Sequence, residues 1–168
     1  MGNVSDSGRP LLFLDLDGVV NDHQKLTSGV CGSRASCVYQ LNRVIEETDC
    51  NLVISSAWRY MVLMGEVTEA GFMYLLQTHG VDAWNRLAGV LRKDAERKGE
   101  PITDRGRQIS EWLLANGANY ARPYAVVDDL DLGISDCGHP FVQTNGKLGM
   151  TRHDADRLID LLQWRLWA

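Results

Sequence analysis

Three observations in the sequence predict a three-layer α/β fold around a central parallel sheet. Short apolar runs recur at 11–14, 52–54 and 124–127. Each run ends in small polar or acidic residues: Asp15 and Asp17, Ser55 and Ser56, Asp128 and Asp129. Segments with helically spaced apolar residues separate them. A continuous apolar run suits a strand buried on both faces, as in a parallel sheet. Strands alternating with helices are the pattern of a sheet covered on both sides.

Residues 1–10 read as a polar, disordered segment and 11–168 as a single domain. The first strand, Leu11-Leu12-Phe13-Leu14, runs into Asp15-Leu16-Asp17-Gly18. An Asp-Gly turn accounts for Asp17 and Gly18, but not for a second acid directly after Phe13-Leu14. Carboxylates are costly to bury unpaired, so both should lie where the strand leaves the sheet, the edge where α/β folds bind ligands. Residues 21–32 read as a loop over that edge, and Ser33 as the cap of a helix with Val38, Leu41, Val44 and Ile45 on one face. That helix ends near Asp49, before the second strand.

Residues 58–79 read as largely helical, with Val67, Ala70, Met73, Leu76 and Gln77 in phase and Gly80 as terminator. A weak strand follows at 87–91, then a charged loop at 92–103 whose Arg92-Lys93 and Arg97-Lys98 read as solvated. A helix over 104–115 turns Ile109, Trp112 and Leu113 inward, with Gly117 ending it. After the strand that finishes at Asp128-Asp129 come a short strand at 141–144 and a last helix. Thr151 and Asp154 open that helix as a capping box, and Leu158, Leu161, Leu162 and Leu166 are its buried face.

The chain of 168 residues carries a formal net charge of −5, so no overall basic field draws it to nucleic acid or anionic lipid. Cys31, Cys37, Cys50 and Cys137 form no CxxC pair, which suits reduced thiols in a cytoplasmic protein. No apolar segment is long enough to span a membrane, and the N-terminus lacks a signal-peptide pattern. His23, His79, His139 and His153 show no ligand spacing.

Parallel strands bring their carboxyl ends to one edge, so the three polar tips should converge. With that convergence the sequence resembles the haloacid dehalogenase-like (HAD) superfamily. Asp15-Leu16-Asp17-Gly18-Val19 is similar to its DxDx(T/V) motif. Ser56, with Ser55 as the alternative register, matches the Ser or Thr that closes an apolar strand, and Asp128-Asp129 matches the acidic pair. The usual lysine has no counterpart. Arg105 is the best match and Arg107 the second. The wording Ser-Ser-Ala-Trp-Arg, Arg-x-x-Gln-Ile-x-x-Trp-Leu and Val-Val-Asp-Asp looks like the small HAD domains related to Swiss-army-knife RNA repair proteins.

The resemblance implies a Rossmann-like HAD fold and a magnesium-dependent phosphatase. Asp15 would be the nucleophile and Asp17 the general acid and base. Asp15, the Asp17 carbonyl and Asp128 would hold the metal, with Asp129 nearby. Ser56 and Arg105 would bind the phosphoryl group. Each has an ordinary competing role: Ser56 as a helix cap, Arg105 and Arg107 as solvated first-turn residues, Asp128-Asp129 as a surface turn. Trp58 either packs in the core or stacks on a base at the substrate mouth. The intervals 17–56 and 56–105 hold only what the core requires, so no cap domain is expected and the site should be open. An open site suits a nucleic-acid end phosphate as well as a nucleotide. The arginine in place of lysine leaves two other readings: a catalytically weak binding module, and a phosphotransferase that hands the phosphoryl group to another acceptor.

Overall fold

The computed structural model describes residues 8–21, 34–91, 104–116 and 122–163. The expected loops at 22–32 and 92–103, the Ser33 cap, Gly117, Leu166 and most of the N-terminal segment lie outside them.

Five strands form one wholly parallel sheet: β1 (Leu11–Leu14), β2 (Asn51–Ile54), β3 (Leu87–Val90), β4 (Tyr124–Asp128) and β5 (Phe141–Gln143), in the order β3-β2-β1-β4-β5. The helices are α1 (Ala35–Thr48), α2 (Tyr60–Leu63), α3 (Glu69–Thr78), α4 (Arg105–Ala115) and α5 (Arg152–Gln163). A 3-10 turn, Ala57–Arg59, precedes α2.

Alternation along the strands explains the layers. Leu12 and Leu14 of β1, with Leu52, Ile54 and Val127, meet α1, α3 and α5 in the larger core. Leu11 and Phe13, with Val53 and Val126, meet Ile109 and Leu113 of α4 on the other face. Phe13 is fully buried, and the rings of Trp112 and Tyr124 pack edge-on against it. The sheet is therefore covered on both sides, as three layers require. Among the described residues nothing forms a cap domain, and no helix is long and apolar enough to cross a membrane.

Two local expectations change. The helix expected over 58–79 is broken: α2 ends at Leu63, Gly65 takes φ +73°, and α3 starts afresh with Thr68 accepting from the Gly71 N–H. That restart shifts the helical phase, so Phe72, Met73 and Leu76 are buried while Ala70 and Gln77 are exposed. The N-cap position of α1 is Arg34, which makes no side-chain cap bond. The capping box at Thr151 and Asp154 forms reciprocally, with the Thr151 N–H donating to Asp154 Oδ2 at 2.8 Å and the Asp154 N–H to Thr151 Oγ1 at 3.3 Å.

The strand order places the site. From β1 the chain moves outward to β2 and β3, then returns to the other side of β1 with β4. The gap between β1 and β4 is thus the topological switch point, where an α/β sheet leaves a crevice at its carboxyl edge.

Candidate active site

The pairing register brings the polar tips into one row. Leu14 pairs with Ile54 on one side and Val127 on the other, so the next residues across the sheet are Ser55, Asp15 and Asp128. All three continue the face that carries Phe13, Val53 and Val126, toward α4. Carboxylate oxygens of Asp15, Asp128 and Asp129 lie within 4.8 Å of one another. Asp15 is 6% exposed, Asp128 1% and Asp129 9%. Gly18 makes room for the third acid. It takes φ +77°, and a Cβ there would stand 2.6 Å from the Asp129 carboxyl.

Arg105 supplies the countercharge from the first turn of α4. Its Nη1 donates to Asp128 Oδ2 at 2.6 Å and lies 3.4 Å from Asp15 Oδ1. Arg107 points away and pairs with Glu111 along the exposed helix face. One guanidinium does not balance three acids. Burial first, and the Asp128 charge second, push the Asp15 carboxyl up to about 7. Asp128 is also raised, chiefly by burial. Crowded oxygen donors with displaced protonation equilibria fit a hard divalent cation such as magnesium, which takes oxygen ligands and keeps some waters.

The two serines separate. Ser56 is the N-cap of the 3-10 turn, its Oγ accepting from the Trp58 N–H at 3.3 Å. Ser55 lies in the row with Asp15, and its fully buried Oγ has no hydrogen-bond partner. A buried hydroxyl without a partner is costly, so the Ser55 Oγ is a donor held ready for a ligand atom. Asp17 is set differently from the other acids. Its Oδ1 accepts from Asn21 Nδ2 at 3.0 Å and from the Trp58 indole N–H at 3.3 Å.

Two residues outside the predicted site set matter here. Arg59 is 3% exposed, and its Nη1 donates to the carbonyls of Ser55 at 2.5 Å and Ser56 at 2.9 Å. It therefore fixes the exit of β2, and its place directly after Ser-Ser-Ala-Trp was the available signal. His139 braces the start of α4. The Gly106 carbonyl can only accept, so His139 Nε2 donates to it at 2.8 Å, and Nδ1 accepts from the Tyr124 hydroxyl at 3.0 Å. Nothing in the spacing of His139 announces this.

Gly106 sits beside Arg105, and its N–H donates to the Leu132 carbonyl. A Cβ at Gly106 would strike the Gly133 carbonyl and stand 2.9 Å from Cys137 Sγ. Backbone cannot yield as a flexible side chain does, so Gly106→Ala should push the first turn of α4 off the sheet. We expect a loss of about 1–3 kcal/mol in urea unfolding, the usual cost of overpacking. Wild-type stability in that variant would show that the contact is not tight.

A protein-family model described as the HAD domain in Swiss Army Knife RNA repair proteins matches residues 11–155. No curated protein and no solved structure gives a match.

Proposed function

The chain belongs to the HAD-domain family of Swiss Army Knife RNA repair proteins, a family of HAD-type hydrolases, and on that premise we propose that it is a magnesium-dependent phosphatase acting through an aspartyl-phosphate on Asp15. The observation that carries this reading is the row Ser55, Asp15, Asp128 at the switch point, with Arg105 and Asp129 closing around it. Asp15, Asp128 and the Asp17 carbonyl would hold the metal, with Asp129 beside them. When bound, magnesium supplies the positive charge that lets an anionic carboxylate approach an anionic phosphoester.

The residues divide the work as follows. An Asp15 oxygen forms a bond to phosphorus as the bond to the leaving oxygen breaks. The proton of the Asp17 carboxyl passes to that leaving oxygen. Asp17 then takes a proton from water, whose oxygen attacks phosphorus and breaks the Asp15–phosphoryl bond. Inorganic phosphate leaves, and both acids return to their starting state. Arg105 donates to phosphoryl oxygens and balances the carboxylates. Ser55 Oγ is the hydroxyl that binds the phosphoryl group, because it stands in the row with Asp15 and has no partner of its own.

The substrate we propose is a phosphorylated nucleic-acid end. The family description supports it, as does the lack of a cap domain among the described residues. The test measures phosphate release from an aryl phosphate, from mononucleotides and from oligonucleotides phosphorylated at either end, with magnesium or with chelator. We expect magnesium-dependent release, faster from an oligonucleotide end than from a mononucleotide. No release from any of these would sink the phosphatase reading. Faster turnover of mononucleotides would remove the nucleic-acid substrate alone.

A further inference from the structure

We propose that Trp58, with Asn21, is a positioning residue for the proton-transferring carboxyl of Asp17, a role that rests on the phosphatase reading above. Two N–H donors from separate parts of the chain converge on one oxygen. Asn21 Nδ2 reaches Asp17 Oδ1 at 3.0 Å and Trp58 Nε1 reaches the same atom at 3.3 Å. Two donors on Oδ1 fix the rotation of the carboxyl group and leave Oδ2 as the oxygen that exchanges the proton with the leaving group.

Each donor is itself fixed. The Asn21 side chain is buried and its Oδ1 accepts from the Gly18 N–H at 3.1 Å, which orients the amide and aims Nδ2 at Asp17. Trp58 sits in the middle of the 3-10 turn capped by Ser56, and its ring lies edge-on to His79 at 5.8 Å and 75°. The same ring lines a small apolar hollow with Leu16, Val20, Leu76 and Val81. The indole is thus held by packing while its one polar atom is spent on Asp17. The ring packs, and its N–H does something packing alone would not ask of it. The hydrogen-bond capacity of Ser56 also finds a use, since it caps the turn that presents Trp58.

Orientation of Asp17 matters most when the leaving oxygen is a poor one. An alkoxide must be protonated as its bond to phosphorus breaks, whereas a phenolate with a low pKa departs unaided. The experiment therefore compares kcat/KM for an alkyl and an aryl phosphate with magnesium, in the wild type, Trp58→Phe, Asn21→Ala and Asp17→Asn. Trp58→Phe keeps an aromatic ring at the position, removes the N–H and trims the ring, which is why a second variant accompanies it. We expect it to lose roughly 10- to 100-fold on the alkyl ester and less than about 3-fold on the aryl ester, a fraction of the whole contribution of a general acid. In the Asp17→Asn background the same substitution should cost nothing further, because groups that act as a unit are not additive.

Equal losses on both esters, or an undiminished loss in the Asp17→Asn background, would overturn the positioning role and leave Trp58 as packing. That result differs from failure of the phosphatase reading, in which the wild type itself releases no phosphate. Asn21→Ala guards against a folding defect in Trp58→Phe, since it removes the second donor from another segment and should show the same preference for the aryl ester.

Discussion

Asp15→Asn should abolish the proposed phosphate release and at the same time stabilise the metal-free protein above neutral pH. The first half follows from the nucleophile. A carboxamide does not form the acyl-phosphate, and loss of a nucleophile that acts as part of a unit lowers kcat on the order of 10³-fold or more. The second half follows from the crowding of charge. The Asp15 carboxyl is raised from an ordinary 3.8 to about 7, by burial first and then by Asp128, with Asp17 and Asp129 adding to the rise and Arg105 opposing it. Between those values the folded protein binds a proton that the unfolded chain has released. The contribution of Asp15 to stability is therefore full below about pH 4 and is lost as pH rises through about 7. Each pH unit in that window is worth about 1.4 kcal/mol at one site, so the total is on the order of 4 kcal/mol at most. Asparagine has nearly the same shape and no charge to lose. Its melting temperature at pH 8 without metal should exceed that of the wild type by several degrees, with the gap closing toward pH 4. Magnesium should raise the melting temperature of the wild type more than that of the variant, because the wild type brings one more carboxylate to the repulsion that the ion relieves. A variant that still turns over, or that melts lower at pH 8, contradicts the assignment.

The parts of this site legible in the sequence were those that depend on strand ends. An apolar run stopping at an acid says where the strand leaves the sheet, and parallel pairing then forces such ends onto one edge. Asp15, Asp128 and their neighbour Asp129 come together for that reason. What one sequence does not carry is the register between strands. It decides that Ser55 rather than Ser56 stands beside Asp15, and shifting by one residue turns every side chain to the other face. Side-chain direction in a short turn is equally hidden. Trp58 and Arg59 are adjacent, yet one bonds Asp17 and the other bonds the Ser55 and Ser56 carbonyls. The break in the helix expected over 58–79 comes at Gly65, whose positive φ stops α2, so that α3 starts anew and buries Phe72 beside Met73 and Leu76. The tight passage of Gly106 past Gly133 joins distant residues and leaves no local trace.

Arg105→Ala should be the most destabilising single change at the site, and Arg105→Lys should restore much of what it loses. The Arg105 side chain is 13% exposed and forms ion pairs to Asp128 at 2.6 Å and to Asp15 at 3.4 Å. Removing one partner of a buried pair leaves uncompensated charge, at a cost of about 3–5 kcal/mol. Here two carboxyls already raised by burial lose their countercharge together. The loss should be greatest near pH 8 in chelator, and smaller near pH 5, where Asp15 is protonated. In the proposed reaction the guanidinium would donate to charge on the phosphoryl oxygens, and losing a donor of that kind costs about 10²–10³-fold in kcat. Lysine keeps a point charge in place of a planar fork. If Arg105 stands where the HAD resemblance leads one to expect a lysine, Arg105→Lys should keep kcat within about 10-fold of wild type and recover most of the stability in urea. If instead the arginine is there for its fork, lysine will fold well and turn over little better than alanine. Stability and turnover measured on the same two variants thus separate charge from geometry. Gly106→Ala supplies the control, since it displaces the same guanidinium without removing it.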